Sequence, residues 1–210
     1  MNPETTQLDK TRFDLQIIAS WIEPGSRVLD LGCGHGDLLL LLKQEKQING
    51  TGIELSEEKV ARCIERGLTV LQGDFSEEIL DYPAHRFDCV VLSQTLQQVM
   101  NPKKLIPELL RIGKRVIVSF PNFGHWQVRL QVLLTGQAPV TGQLPYEWYD
   151  TPNIRVISIK DFKQFLRMTG IKPVKEVAIN SHHHDENGHI IKYLINLRAT
   201  YGIMMLERSA

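Results

Sequence analysis

Short apolar or β-branched runs alternate with stretches of helical period through the first 120 residues, the pattern of βαβ units feeding a parallel sheet. The runs predict strands over 27–31, 51–54, 69–71, 87–92 and 115–120, and the segments 37–47, 56–66 and 102–112 between them predict helices. A further helix over 14–21 precedes the first strand, and Ser56 with Glu58 offers an N-cap and an acid in the first turn. From Pro121 the pattern changes. Pro121, Pro139, Pro145 and Pro152, with Gly124, Gly136 and Gly142, break up a stretch rich in Trp and Tyr, which reads as an insertion over about 121–155 serving as a lid or docking surface. Alternation resumes with a helix over 160–168 and strands over 172–179 and 201–207, expected as a hairpin-like pair at the sheet edge. The expectation is one domain, residues 1–210, built as a three-layer α/β sandwich around a mostly parallel seven-stranded sheet.

Composition narrows the partners. With 210 residues, 42% hydrophobic and 23% charged, the chain can bury one sizeable core without disulfides or metals. Its 24 basic and 24 acidic side chains balance, and no run of five like charges occurs, so neither nucleic acid nor an anionic membrane is expected as a partner. The three cysteines, Cys33, Cys63 and Cys89, are an odd number at spacings that match no metal motif and point to a reducing compartment. The N-terminus is polar, without the apolar stretch of a signal peptide or anchor, and the apolar run 38–42 is far too short to span a bilayer. A cytoplasmic protein is expected.

The candidate chemistry begins at Asp30-Leu31-Gly32-Cys33-Gly34-His35-Gly36, where a strand ends in an acid and three alternating glycines lead into a helix. Glycines belong where a backbone must turn tightly and let a ligand approach closely. A nicotinamide or flavin site wants G-x-G-x-x-G with a pyrophosphate at the helix N-terminus; the spacing here is G-x-G-x-G. An acid immediately before the glycines would repel phosphate and suits a ligand carrying an amino group, so the loop favours S-adenosylmethionine (SAM) over NAD. Glu54 closes the second strand, followed by Leu55, and its carboxylate can accept both hydroxyls of a ribose. Asp74, in Gly73-Asp74-Phe75, can accept from an adenine amino group while Phe75 borders the ring. Any one of these acids is as readily a solvated strand end; three at consecutive strand ends favour a shared ligand.

The order of glycine loop, Glu54, Asp74 and Phe87-Asp88-Cys89-Val90-Val91-Leu92 resembles the class I SAM-dependent methyltransferases. That resemblance implies a Rossmann-like fold in which Asp30, Gly32, Cys33, Gly34 and Ser93 hold the methionine moiety of SAM or S-adenosylhomocysteine. It further implies Glu54 and Leu55 at the ribose, and Asp74 and Phe75 at the adenine. A narrower likeness covers nearly the whole chain. Residues 28–36, Leu92-Ser93-Gln94-Thr95-Leu96-Gln97, Ser119-Phe120-Pro121-Asn122-Phe123-Gly124-His125-Trp126 and the stretch 144–154 resemble the MetW family of methionine biosynthesis. This implies a subunit that forms a complex with a MetX-type homoserine O-acyltransferase and supports its activity, with SAM as its ligand; feedback sensing of SAM, which is made from the pathway's end product, follows as a hypothesis. The alternative is an autonomous methyltransferase acting on a small molecule; an NAD-dependent oxidoreductase is set aside by the loop spacing.

Other residues bear on that choice. Many small-molecule methyltransferases of this fold carry a Glu-His pair where this chain has Gln97-Gln98, and an amide is no base at neutral pH. His125 is then the remaining candidate for catalysis, although a histidine beside aromatics is more often packed than catalytic. Trp126, Trp148 and Tyr149 suit a partner interface or burial beneath the insertion equally well. His182-His183-His184-Asp185 with His189 reads as a polar loop, since consecutive histidines on a strand cannot all face one ion, and no metal is expected. Cys33 is read as a small residue that fits the loop.

Overall fold

A computed structural model describes residues 11–181 and 185–208. The polar N-terminal stretch and the His182-His183-His184 tract therefore lie outside the described residues. In chain order the elements are α1 (Phe13–Ser20), β1 (Arg27–Leu31), α2 (Asp37–Lys46), β2 (Asn49–Glu54), α3 (Glu57–Glu65), β3 (Val70–Gln72), α4 (Phe75–Glu78) and β4 (Phe87–Ser93). Then follow α5 (Pro102–Ile112), β5 (Gly113–Pro121), α6 (Trp126–Thr135), α7 (Ile159–Thr169), β6 (Lys172–Asn180), β7 (His189–Ile190), α8 (Ile195–Arg198) and β8 (Tyr201–Glu207). The sheet runs β3-β2-β1-β4-β5-β8-β6-β7, with β1 to β5 parallel and β8 antiparallel to both of its neighbours.

The strands read as continuous apolar runs because both faces of the sheet are covered. In β4, Val90 and Leu92 pack towards α5 and α7, whereas Cys89 and Val91 face α1 and α2. A smaller cluster of Cys33, Leu39, Cys63 and Leu68 fills the space between α2 and α3. This is the expected three-layer sandwich. The helix on the second face, α5, starts where Asn101 accepts from the Lys104 amide and Pro102 occupies the first turn, and it buries Leu105, Ile106, Leu109, Leu110 and Ile112.

α7 is held by a capping box: the Ser158 hydroxyl accepts from the Asp161 amide at 3.1 Å, and the Asp161 carboxylate accepts from the Ser158 amide at 3.2 Å. Ser158→Ala should lower stability by about 1 kcal/mol. A reduced urea midpoint with an unchanged slope would show it. Asn122 ties three segments together at the end of β5. Its Nδ2 donates to the carbonyls of Asn196 and Ala199, and its Oδ1 accepts from the amides of Gly124 and Ile159.

Four expectations change. The sheet has an eighth strand, the two-residue β7, which takes the edge. β6 and β8 do pair antiparallel, but β8 lies inside the sheet between β5 and β6 rather than at its border. Tyr201 to Leu206 are buried on both faces, which only an interior strand allows, while the first five residues of β6 are exposed. Ser56 occupies the N-cap position of α3 without a side-chain cap bond, and its amide donates to the Glu54 carboxylate at 3.0 Å. The 121–155 stretch also contains α6, a helix hidden by the surrounding prolines and glycines. Among the described residues, no helix is long and apolar enough to cross a membrane.

Candidate functional site

From β1 the strand order runs outward in both directions, to β2 and β3 on one side and to β4 and β5 on the other. The connections leaving β1 and β4 therefore diverge, opening a crevice at the carboxyl ends of these strands where parallel sheets bind ligands. The glycine loop forms one wall. Gly32 has φ +67°, and a Cβ there would sit 2.9 Å from Thr95 Oγ1. Gly34 has φ +58° with no atom within 4 Å of a built Cβ, so its backbone faces open space. That combination is what a ligand lying against the main chain requires.

Glu54 is brought to this loop from 20 residues away. Its Oε2 accepts from the Gly34 amide at 2.9 Å and its Oε1 from the Ser56 amide at 3.0 Å, so the carboxylate is buried, oriented and still has a free lone pair on each oxygen. Leu55 beside it is 69% exposed at the crevice mouth. The Gly73 amide donates to the Glu54 carbonyl at 3.1 Å, which sets Asp74 at the next strand end. Asp74 caps α4 by accepting from the Ser76 amide at 2.8 Å through Oδ1, and Phe75 packs its ring against the core. Cys33 is buried, its thiol pushed up by burial and by nearby Asp30; Cys63, from α3, donates to the Gly34 carbonyl at 3.3 Å beneath the loop.

Asp30 is the penultimate residue of β1 and is buried. Burial raises its pKa to about 7; Arg12 opposes the shift, and the charges of Glu54 and Asp37 add to it. The facing wall starts at Ser93, whose hydroxyl is 3.2 Å from that of Ser119 on β5. Gln94 follows with φ +50°, its amide bonded to Ser119 and its Nε2 donating to Asp14 Oδ2 at 2.7 Å. Arg12, Asp14, Thr95, Ser119 and Tyr201 join this wall. Gln94, Thr95 and Ser119 lie in stretches that resemble the MetW family but were given no role of their own, and Arg12-x-Asp14 looks like any helix start.

Gln97 is buried, donates to the Gln94 carbonyl at 2.6 Å and leaves Oε1 without a partner, while Gln98 is exposed. His125 occupies the N-cap position of α6, four residues past the end of β5, without a side-chain cap bond. The residue is 2% exposed, its ring lies 5.8 Å from the Trp126 ring, and neither ring nitrogen has a side-chain partner among the described residues. Burial lowers its pKa, against a smaller opposing pull from the Arg198 backbone. Trp126 is half-exposed, and Trp148 and Tyr149 are about three-quarters exposed, with rings 5.6 Å apart edge to face. Two further cavities, of about 310 and 290 Å³, share the Lys163–Glu176 ion pair between α7 and β6 and are lined by none of the candidate residues.

The strand order, the crevice and the glycine loop define the class: this is a SAM-dependent methyltransferase fold of class I. A SAM-dependent methyltransferase of Thermotoga maritima superposes with a TM-score of 0.67 over 94% of this chain and 88% of that one, at 20% identity. The [4+2]-cyclase SpnF superposes with a TM-score of 0.63 over 93% of this chain and 80% of that one, also at 20% identity, so the architecture alone does not specify methyl transfer. The chain belongs to the MetW family: the profile for methionine biosynthesis protein MetW matches residues 12–206. A bifunctional methionine biosynthesis protein MetXA/MetW of Rhodopirellula baltica is 34% identical over 173 residues, covering 78% of this chain but only 28% of that protein.

Proposed function

We propose that this chain binds SAM in the β1/β4 crevice and serves, in the cytoplasm, as the accessory subunit of a MetX-type homoserine O-acyltransferase in methionine biosynthesis. On this reading residues 1–210 are one cofactor-binding domain with a docking insertion over about 121–155. The observation that carries the partnership is the relative in which MetXA and MetW are named in one chain: two activities joined in one polypeptide are expected to work in contact where they are separate. The surface of α6 supports it. Trp126, Leu130 and Leu133, at helical spacing, face solvent together with Leu134, while Val128 is the helix's buried residue. A contiguous exposed apolar surface of this kind marks an interaction site, and Trp148 and Tyr149 supply the aromatic anchors that interfaces favour.

The residues of the crevice fit the cofactor. Gly34 presents bare backbone, Asp30, Gly32, Cys33 and Ser93 surround the loop, Glu54 keeps lone pairs for the ribose hydroxyls with Leu55 beside it, and Asp74 and Phe75 at the next strand end would receive the adenine. When bound, SAM supplies a sulfonium with an electrophilic methyl group. Gln97 and Gln98, where many small-molecule methyltransferases carry a Glu-His pair, are amides and cannot act as a base. His125, buried and with no side-chain partner on its ring nitrogens among the described residues, is the one observation favouring the second reading, an autonomous small-molecule methyltransferase.

Co-expression with a homoserine O-acyltransferase, followed by co-purification and acyl-transfer rates with and without this chain, tests the first reading. Absence of both a complex and a rate change would sink it. S-adenosylhomocysteine release with an added acceptor, reduced in His125→Ala without loss of SAM binding, would establish the second. Glu54→Ala should weaken SAM binding about 100-fold, because charged acceptors to two hydroxyls and the tether of the Gly34 amide are lost together. Titration calorimetry measures this directly, and unchanged affinity would remove Glu54 from the site.

A further inference from the structure

The two cavities between α7 and β6 lie away from the crevice, and neither the glycine loop nor the strand-end acids border them. Their linings are largely apolar. Leu166 and Ile171 back the first, of about 310 Å³. Ile159, Ala178 and Met204, all members of the main core, back the second, of about 290 Å³, with Ile191 and Ile195 at its sides. Lys163 and Glu176 border both cavities and join Nζ to Oε1 at 2.8 Å, so the two adjoin as one groove bridged at its middle by an ion pair and the Lys163 methylenes.

The rim is basic. Arg167 and Lys172 border the first cavity and Lys192 the second, and none of the three makes a side-chain hydrogen bond or ion pair with a described residue. Among the described lining residues Glu176 is the one acid, and Lys163 already neutralises it. In a chain whose charges balance overall, unpaired cations around an apolar groove suit an apolar ligand with an anionic end.

An added polypeptide strand does not fit here. β7 pairs only with Ile179 and Asn180, which leaves the rest of β6 as an open edge. That edge carries Pro173, a register shift between Pro173 and Lys175, and the charges of Lys172 and Lys175, all devices that keep a further strand from docking. A hydrocarbon chain makes no hydrogen bonds and can pass beside the Lys163 stem. Its terminal carboxylate would meet the planar fork of Arg167 and the ammonium of Lys172, both exposed.

We propose that the α7/β6 groove is a binding site for a free medium-chain acyl carboxylate, its head held by Arg167 and Lys172 and its tail in the chamber backed by Met204. The site is separate from the crevice and does not depend on the cofactor reading.

The test is calorimetry and methyl NMR on the full chain with carbon-13 methionine, using decanoate, octanoate and decyltrimethylammonium as probes. Met204 and Met205 face opposite sides of the sheet, so the first reports on the groove and the second is its control, each assigned through Met204→Leu or Met205→Leu. Decanoate should bind at one saturable site, shift the Met204 resonance and leave Met205 in place. Octanoate, two methylenes shorter, should bind about 10-fold more weakly, and the cationic probe should not saturate the site. Arg167→Gln and Lys172→Gln, at exposed positions, should each weaken decanoate about 5-fold with no change in melting temperature. Lack of saturable decanoate binding, a shift of Met205 in place of Met204, equal binding of the cationic probe, or full affinity in both variants would overturn the site. A Met204 shift produced by raising the protein concentration alone, or by the acyltransferase and not by decanoate, would assign the groove to a second copy or to the partner and likewise overturn it.

Discussion

Leu133→Asp combined with Leu134→Asp should reduce stimulation of a homoserine O-acyltransferase to the level seen without this chain. The two leucines are 80% and 73% exposed on α6, so nothing in the folded chain depends on them, and the melting temperature should stay within a degree or two. At an interface the effect is large. Burying a leucine contributes about 1.5–3 kcal/mol, and each aspartate would instead place an unpaired carboxylate against an apolar surface. The combined change exceeds about 4 kcal/mol, or about 1000-fold in affinity, enough to abolish co-purification. SAM binding should be unchanged, because the crevice lies on β1, β2 and β4. Full stimulation by the double variant would show that the partner docks elsewhere. Val128→Asp makes the contrast: as the buried residue of the helix, it should destabilise the fold itself.

Asp30→Asn should remove a pH dependence that the native chain shows in two measurements. With the folded-state pKa raised to about 7, the folded chain retains a proton between about pH 4 and 7 that the unfolded chain has lost. Stability is therefore highest at the acidic end of this window and falls as pH rises through it, at up to about 1.4 kcal/mol per unit from this group. Denaturation series at several pH values should show that slope in the native chain and its loss in Asp30→Asn. Ligand binding has the opposite sign. A cationic ligand stabilises the ionised carboxylate, so SAM affinity should rise about 10-fold from pH 6 to pH 8 in the native chain and remain flat in the variant. A native affinity independent of pH would mean that Asp30 does not face the positive end of the ligand.

The glycine loop was legible because its requirement is local. Three residues with positive φ between a strand and a helix demand glycine whatever surrounds them, and the acids at strand ends follow from the same alternation. The parallel half of the sheet was legible for a similar reason: doubly buried strands show as unbroken apolar runs. Glu54 could be named as a ribose acceptor from its position, but its grip on the Gly34 amide is a contact across 20 residues that no periodicity encodes.

The remainder was settled by tertiary packing. Helix α6 turns its apolar stripe outward, so the usual link between hydrophobic spacing and burial does not apply, and the neighbouring prolines and glycines masked it. The place of β8 depends on which pair of antiparallel strands needs cover on both faces, a question of side-chain burial rather than of order along the chain. The Asp14–Gln94 bond joins residues 80 positions apart through a left-handed turn, and Tyr201 reaches the same place from the other end of the chain. By itself the sequence determined the layers, the loop and the identity of the strand-end acids, because each follows from the period or the stereochemistry of neighbouring residues. Only the tertiary structure decided which distant side chains share the crevice and which apolar face is left without cover, because both depend on how separate elements pack.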